Sequence, residues 1–366
     1  MAGSGKNRSK KFTIKDIAQL ARVSPSTVSI VLNGKEGVSA ETRRRVLNIV
    51  KKQNYVPNLL ARSLVVRRSY AIGMMIPNTL NAVFPEIAFG VDLVLKKKGY
   101  SLSLISTYDD PELEAREIEK TVARGLDGII TSSALLGTDS IPNLARSGFP
   151  VICVLRRVYD CPDLDYVMVD NVRGGYLATE HLIRLGHRRI GVLKGPSNIS
   201  AMLERFEGAA AALRDYGVSL QDRLLAAGKP TREFGREATT NLLALSPGDR
   251  PTAIYASNDN MALGAFEAIL DAGLRVGEDI ALVGFNNIGT TAFRTVSLTT
   301  VSQQSQELGR LAAVRIIERI ENKGEPLPPY RKVLEPMLII RDSCGFHRHG
   351  YRCEKHQKSE SNAVNA

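Results

Sequence analysis

The sequence predicts an all-α helix-turn-helix headpiece followed by a two-lobed α/β domain with parallel sheets. Three observations predict it. Two short helical patterns stand about three residues apart near the N-terminus, the spacing of a helix-turn-helix. From about residue 70 onward, short apolar runs alternate with amphipathic stretches, as βαβ units require. The positive charge is confined to the first region. Residues 1–70 hold 15 Lys and Arg against 3 Asp and Glu, whereas the whole chain holds 49 against 38. The rest is close to neutral.

Bulk properties narrow the function. A chain of 366 residues suits two or three domains, and 43% apolar content can bury real cores. No stretch approaches the roughly 20 apolar residues that span a bilayer. The segment 1–11 is basic with no apolar region behind it, so it is expected to be a flexible basic arm rather than a secretory signal. Cys153, Cys161, Cys344 and Cys353 form no CxxC pair, which favours free thiols in a reducing cytoplasm. A basic first fifth is the footprint of a polyanion partner, because neutralising phosphates releases condensed counterions. Double-stranded DNA at the nucleoid is the expected partner.

The headpiece is placed at residues 12–57. Thr13 reads as an N-cap with Asp16 completing a capping box, and Phe12 and Ile17 occupy staple positions. The first helix is expected over Ile14–Ala21. Ser24 caps a second helix, with Pro25 at its first position and Val23 and Val28 as the staple. Asn33-Gly34 ends it. Ser39-Ala40-Glu41 opens a third, basic helix reaching about Gln53. Residues 58–69 are expected to be a hinge helix and linker. Asn58 to Leu64 allows about two turns, too few to be stable alone.

Residues 70–342 are expected to form the two-lobed domain. Strand-like runs include Ala71–Ile76, Ser101–Ile105, Gly128–Thr131, Val151–Leu155, Tyr166–Val169, Ile190–Leu193, Ala253–Tyr255 and Ile280–Val283. Helical stretches include Glu86–Lys98, Glu112–Arg124, Gly174–Leu185 and Met261–Asp271. The pattern runs twice, before and after about residue 165, with ligand expected in the cleft between. Residues 343–366 read as a polar, disordered tail. Cys344, His347, His349, Cys353 and His356 fall there, but so polar and terminal a segment predicts no metal site. His181 and His187 read as structural, and Gly174-Gly175 as close packing. No GxGxxG, Walker A, HExxH or GxSxG motif is present. No cofactor and no enzymatic activity are predicted.

An ordered series of motifs now accumulates. It comprises Thr13-Ile14-Lys15-Asp16-Ile17-Ala18, Val23-Ser24, Thr27-Val28-Ser29, Val31-Leu32-Asn33-Gly34, Tyr55-Val56-Pro57-Asn58 and Ala61-Arg62-Ser63-Leu64. Asp170-Asn171, Gly186-His187-Arg188-Arg189-Ile190-Gly191, Asn258-Asp259, Asp279–Phe285 and Leu298-Thr299-Thr300-Val301 extend it. Over residues 12–342 the chain resembles the lactose-repressor/galactose-repressor (LacI) family. The resemblance implies a periplasmic-binding-protein type I fold with three crossovers between lobes. It also implies a homodimeric transcription regulator, most often a repressor, whose binding to a pseudo-palindromic operator answers to a small-molecule effector such as a sugar or sugar acid.

The resemblance carries roles as well. Ser24, Thr27, Ser29 and Asn33 match positions that contact phosphates or support the reading helix, and Thr13 and Asn58 match further DNA-binding positions. Pro25, Ser26 and Ile30 match positions that meet base edges, and Leu64 matches a minor-groove wedge. Phe84, Ser132, Arg205, Asn286 and Gln303 match effector-facing positions. There are departures. Arg22 stands where Gly is usual, at a position expected to be left-handed. Ile30 stands where the family often has Arg, favouring a thymine methyl over guanine. Leu155 and Asn286 replace acids that grip sugar hydroxyls, and Ile199 replaces a polar or basic residue.

Overall fold

The structure is a computed structural model that describes residues 12–32, 34, 36–53, 55, 68–322, 324 and 327–346. The expected basic arm, Asn33, Asn58, Leu64 and the segment from His347 onward lie outside the described residues. The chain divides into two units, Met1–Ser69 and Tyr70–Ala366.

Three helices build the first unit: α1 (Ile14–Ala21), α2 (Pro25–Leu32) and α3 (Ala40–Lys52). Their starts follow from the caps read in the sequence. The Thr13 amide donates to Asp16 Oδ2 at 2.7 Å and the Asp16 amide to Thr13 Oγ1 at 3.3 Å. The Thr27 amide donates to Ser24 Oγ at 3.1 Å. Ser39 accepts from the Thr42 amide at 3.3 Å. Arg22 ends α1 at φ 51°, ψ 48°, the left-handed conformation expected there. Ile17, Ala18, Ala21, Val28, Val31 and Val46 close a small core. Val23 joins it, but Phe12 stays 39% exposed, so the first staple buries little.

The second unit holds two six-stranded sheets. The first lobe uses β1 (Ala71–Ile76), β2 (Ser101–Ser106), β3 (Gly128–Thr131), β4 (Val151–Val154), β5 (Asp165–Val169) and β11 (Arg331–Leu334), ordered β11-β5-β4-β3-β1-β2. The second uses β6 (Ile190–Lys194), β7 (Leu225–Ala227), β8 (Ala253–Ala256), β9 (Ala281–Asn286), β10 (Thr299–Ser302) and β12 (Met337–Ile339), ordered β12-β10-β9-β8-β6-β7. All neighbours run parallel except the β10–β12 pair. Central strands such as β3 and β4 are buried at every position, as a sheet covered on both faces demands.

Helices cover the sheets: α4 (Val83–Lys97), α5 (Pro111–Ala123), α6 (Ser140–Arg146), α7 (Asn171–Arg184), α8 (Ser200–Asp215), α9 (Arg232–Leu243), α10 (Asp259–Asp271) and α11 (Ser305–Glu321). The chain passes between lobes three times: at Asp170 before α7, at Gln303-Gln304 before α11, and at Glu335-Pro336 before β12. The crossovers are laced together. The Asp170 amide donates to the Leu334 carbonyl at 2.9 Å, and Gln304 Nε2 to the Glu335 carbonyl at 3.0 Å.

Three helix pairs touch backbone to backbone, each through one glycine per helix. A Cβ on Gly175 would stand 2.0 Å from the Arg205 carbonyl oxygen, and one on Gly208 1.9 Å from that of Val172. Gly90 with Gly309, and Gly235 with Gly264, repeat the arrangement between α4 and α11 and between α9 and α10. The neighbouring Gly174 faces the Phe285 ring, where a Cβ would lie 2.6 Å away. Close packing is therefore the role of Gly174-Gly175.

Two sequence expectations need correction. The repeat divides after Val169, not at about 165, and α11 and β11 return to the first lobe. The ordered domain also runs past 342. Ser343 and Cys344 are buried, and Ser343 Oγ donates to the Leu282 carbonyl at 2.6 Å and accepts from the Thr299 amide at 2.8 Å. Cys344 Sγ lies 3.2 Å from His181 Nε2. Their polarity suggested a tail, but each polar atom finds a partner inside the fold. Cys153, Cys161 and Cys344 are free and buried.

Candidate functional site

The headpiece presents one polar face. Buried Val28 and Val31 turn α2 inward, which leaves Ser24, Pro25 and Ser26 exposed and Thr27, Ser29 and Ile30 half-buried. Ser26, Ser29 and Ile30 follow helical spacing on the outer side. Ser24 Oγ lies 2.6 Å from Ser26 Oγ and 2.9 Å from Thr27 Oγ1, so these hydroxyls share one hydrogen-bonded cluster at the helix N-terminus. That end of a helix favours anions. Exposed Thr13, Arg22, Arg44 and Arg45 add donors. An outward Ile30 can meet a methyl group but cannot donate a hydrogen bond.

The five effector candidates all fall at the junction of the lobes, and all are buried. Phe84 is on α4, Ser132 follows β3, Arg205 is on α8, Asn286 ends β9 and Gln303 follows β10. Carboxyl ends of parallel strands at a change of direction are where open α/β sheets take ligands. Arg205 is the hub. It donates from Nε to Asn171 Oδ1, from Nη1 to the Ser257 carbonyl and from Nη2 to Gln303 Oε1, each at 2.9 Å. Its guanidinium lies 3.7 Å over the Phe285 ring. Burial pushes its pKa down to about 10. None of these partners is a carboxylate, so Arg205 forms no interlobe salt bridge. Ser132 Oγ is buried with no hydrogen-bond partner, and no hydrogen bond joins Ser132 or Phe84 directly to Arg205.

Sequence reading missed the groups around this hub. Glu204 is buried on α8. Its Oε1 accepts from Arg157 Nε at 2.8 Å and Tyr159 Oη at 3.0 Å, and its Oε2 from Asn171 Nδ2 at 3.1 Å. The Arg157 amide donates to Ser200 Oγ at 2.9 Å. Buried Asp259 accepts from Thr300 Oγ1 at 2.6 Å and from the Ile288 amide at 3.0 Å, and burial raises its pKa to about 6. A Glu within a helical stretch reads as a solvated face, so only its position one residue before Arg205 could have drawn notice. Leu135, Ile199 and Met202 form a small apolar cluster across the mouth of the junction. Among the described residues no group of three or more His, Cys, Asp or Glu is placed to hold a metal.

Comparison with known proteins fits both units. Residues 13–58 match "Bacterial regulatory proteins, lacI family", and residues 69–334 match "Periplasmic binding proteins and sugar binding domain of LacI family". The chain belongs to the LacI family. It is a DNA-binding transcriptional regulator whose larger domain is of the effector-binding type. The PurR transcriptional repressor of Mannheimia succiniciproducens is 35% identical over 333 residues, covering 90% of this chain and 98% of that protein. The ribose operon repressor of Haemophilus influenzae is 34% identical over 332 residues, with the same coverage. The Lac repressor dimer bound to operator and the anti-inducer ONPF superposes with a TM-score of 0.81 at 27% identity, covering 92% of this chain and 99% of that one. A CelR–cellobiose complex gives 0.68 at 30% identity, covering 91% and 99%. Within the LacI family, the two-lobed domain with parallel sheets and the N-terminal helix-turn-helix are shared architecture.

Proposed function

We propose that this LacI-family regulator is a repressor that binds a pseudo-palindromic DNA operator as a homodimer. Its effector, a sugar or sugar acid by analogy with the relatives, occupies the junction lined by Phe84, Ser132, Arg205, Asn286 and Gln303. Ser24, Thr27 and Ser29, with Thr13, hold phosphates, while Pro25, Ser26 and Ile30 read bases. Asn33, Asn58 and Leu64, outside the described residues, complete the DNA contacts. The protein works where its operator is, in the cytoplasm at the nucleoid, and is not an enzyme. Among the described residues no helix is long and apolar enough to cross a membrane.

One observation carries the reading: a basic headpiece with a polar, outward-facing reading helix and a cleft centred on a buried arginine occur in one chain. Dimerisation has support in exposed Phe89 and Leu93 on α4 and Leu104 on the adjacent edge strand β2. The test is selection of duplexes from a randomised pool by the full chain, followed by a salt titration. A palindromic motif should emerge. Its affinity should drop about 10³-fold between about 50 and 200 mM salt if six or more phosphates are neutralised. No enriched motif, or a flat salt response, would refute the reading.

A further inference from the structure

The cleft contains a cation with no carboxylate of its own. The three hydrogen bonds of Arg205 end on neutral oxygens. The two acids flanking it are already engaged. Glu204 serves Arg157, Tyr159 and Asn171. Asp259 serves Thr300 and the Ile288 amide. In the first lobe, Arg156 takes Asp109 at 2.6 Å, and Glu114 accepts from Ser133 Oγ at 3.2 Å through Oε2, while its Oε1 is buried without a hydrogen-bond partner. Arg156 also repels the charge on Arg205, adding to the effect of burial against the pull of Tyr255, Asp259 and Glu204. A guanidinium has five N–H groups, so two on Arg205 are left after these bonds. Two further polar groups, Ser132 Oγ and Tyr255 Oη, are buried without a hydrogen-bond partner.

We propose that the effector carries an oxyanion, a carboxylate or phosphate, and that Arg205 receives it. The proposal rests on the reading of the lobe junction as the effector site and narrows it to a ligand class. A neutral polyol brings several O–H donors, each needing an acceptor when buried. Glu204 and Asp259, the acids that flank Arg205, are spent on the protein. An oxyanion brings only acceptors, which match the spare N–H groups of Arg205 and the two unpartnered hydroxyls. It also neutralises a buried charge through the stronger, charge-assisted class of hydrogen bond.

The test titrates the full chain with matched probes: glucose, glucuronate and glucose 6-phosphate, then ribose, ribonate and ribose 5-phosphate, with hypoxanthine as a neutral aromatic. Calorimetry and thermal shift report binding, and the selected duplex reports operator affinity. At least one oxyanion should bind about tenfold or more tightly than its neutral parent. The carboxylate and phosphate arms distinguish the two sources of charge. Arg205→Gln should abolish that preference. Asn286→Asp places a carboxylate in the same cleft and covers the case in which the buried Arg205 variant does not fold. It should weaken the oxyanion more than the neutral parent, so that the ratio of the two affinities falls. Overturning results are a neutral probe binding as well as its charged counterpart, or no response to any oxyanion. Either would leave operator selection intact, whereas a wrong reading of the whole chain would abolish selection as well.

Discussion

The Leu136 amide donates to the Asn198 carbonyl at 2.8 Å, a main-chain bond from one lobe to the other. Beside it sit Leu135, Ile199 and Met202, all buried. The main-chain bond tolerates most substitutions at its own residues, but the apolar cluster does not. Leu135→Ala should cost the closed form about 2 kcal/mol. Small-angle scattering should then show a larger radius of gyration for the variant without ligand. An unchanged radius would mean that the cluster does not hold the lobes together.

Gly175 and Gly208 let α7 and α8 meet at backbone distance. A methyl at either position collides with a main-chain carbonyl, which cannot swing aside as a side chain can. Gly175→Ala should therefore destabilise the domain by about 1–3 kcal/mol despite better helix propensity. Urea unfolding checks it. A neutral or stabilising result would show that the helix pair can separate freely.

Glu114 is buried, and burial raises its pKa to about 7 despite help from Ser133, Ser140 and Arg156. The unfolded chain ionises near the ordinary value, so the folded state holds the extra proton between the two. Its contribution to stability is full below the ordinary value and is lost as pH rises through about 7. Glu114→Gln keeps an acceptor for Ser133 and cannot ionise. Unfolding curves from about pH 5 to 8 should be flatter for the variant, which should be the more stable of the two at the alkaline end. Parallel curves would place the proton elsewhere.

Ile30 projects from the outer side of α2 and can offer bases only an apolar surface. Ile30→Arg should move preference toward guanine at one symmetric pair of positions, with about 1–3 kcal/mol of discrimination. Selected motifs from the two proteins give the comparison. Identical motifs would remove Ile30 from base reading.

Residues 347–366 contain no Leu or Ile, so no leucine seam for higher assembly can form there. Their removal should leave a dimer by sedimentation and leave operator affinity unchanged. A change in either would give that segment a role in assembly or binding. The cut belongs after Phe346, because Cys344 is part of the core.

The legible parts of the fold were those where local chemistry and burial agree. The capped starts at Thr13, Ser24 and Ser39 announce their helices, and continuous apolar runs such as Gly128–Thr131 announce buried strands. Short edge strands were not seen. Leu225–Ala227 and Met337–Ile339 span three residues each, too few to show a period. Among the cleft groups, Arg205 was named from resemblance, but its surroundings were not. Glu204, Arg157 and Tyr159 are ordinary surface residue types, and only tertiary contact buries Glu204 between them. Cys344 was misplaced for the converse reason, since its partner His181 stands 163 residues away.

The three crossovers have a mechanical consequence. A body hung from one strap swivels in any direction, but one hung from three neighbouring straps can only swing. Asp170 is tied to Leu334 and Gln304 to Glu335, so the straps lie side by side like the knuckles of a door hinge. A ligand that draws the lobes together would thereby be reported as a single angle. Chain positions as distant as 170, 304 and 335 would all turn through it together.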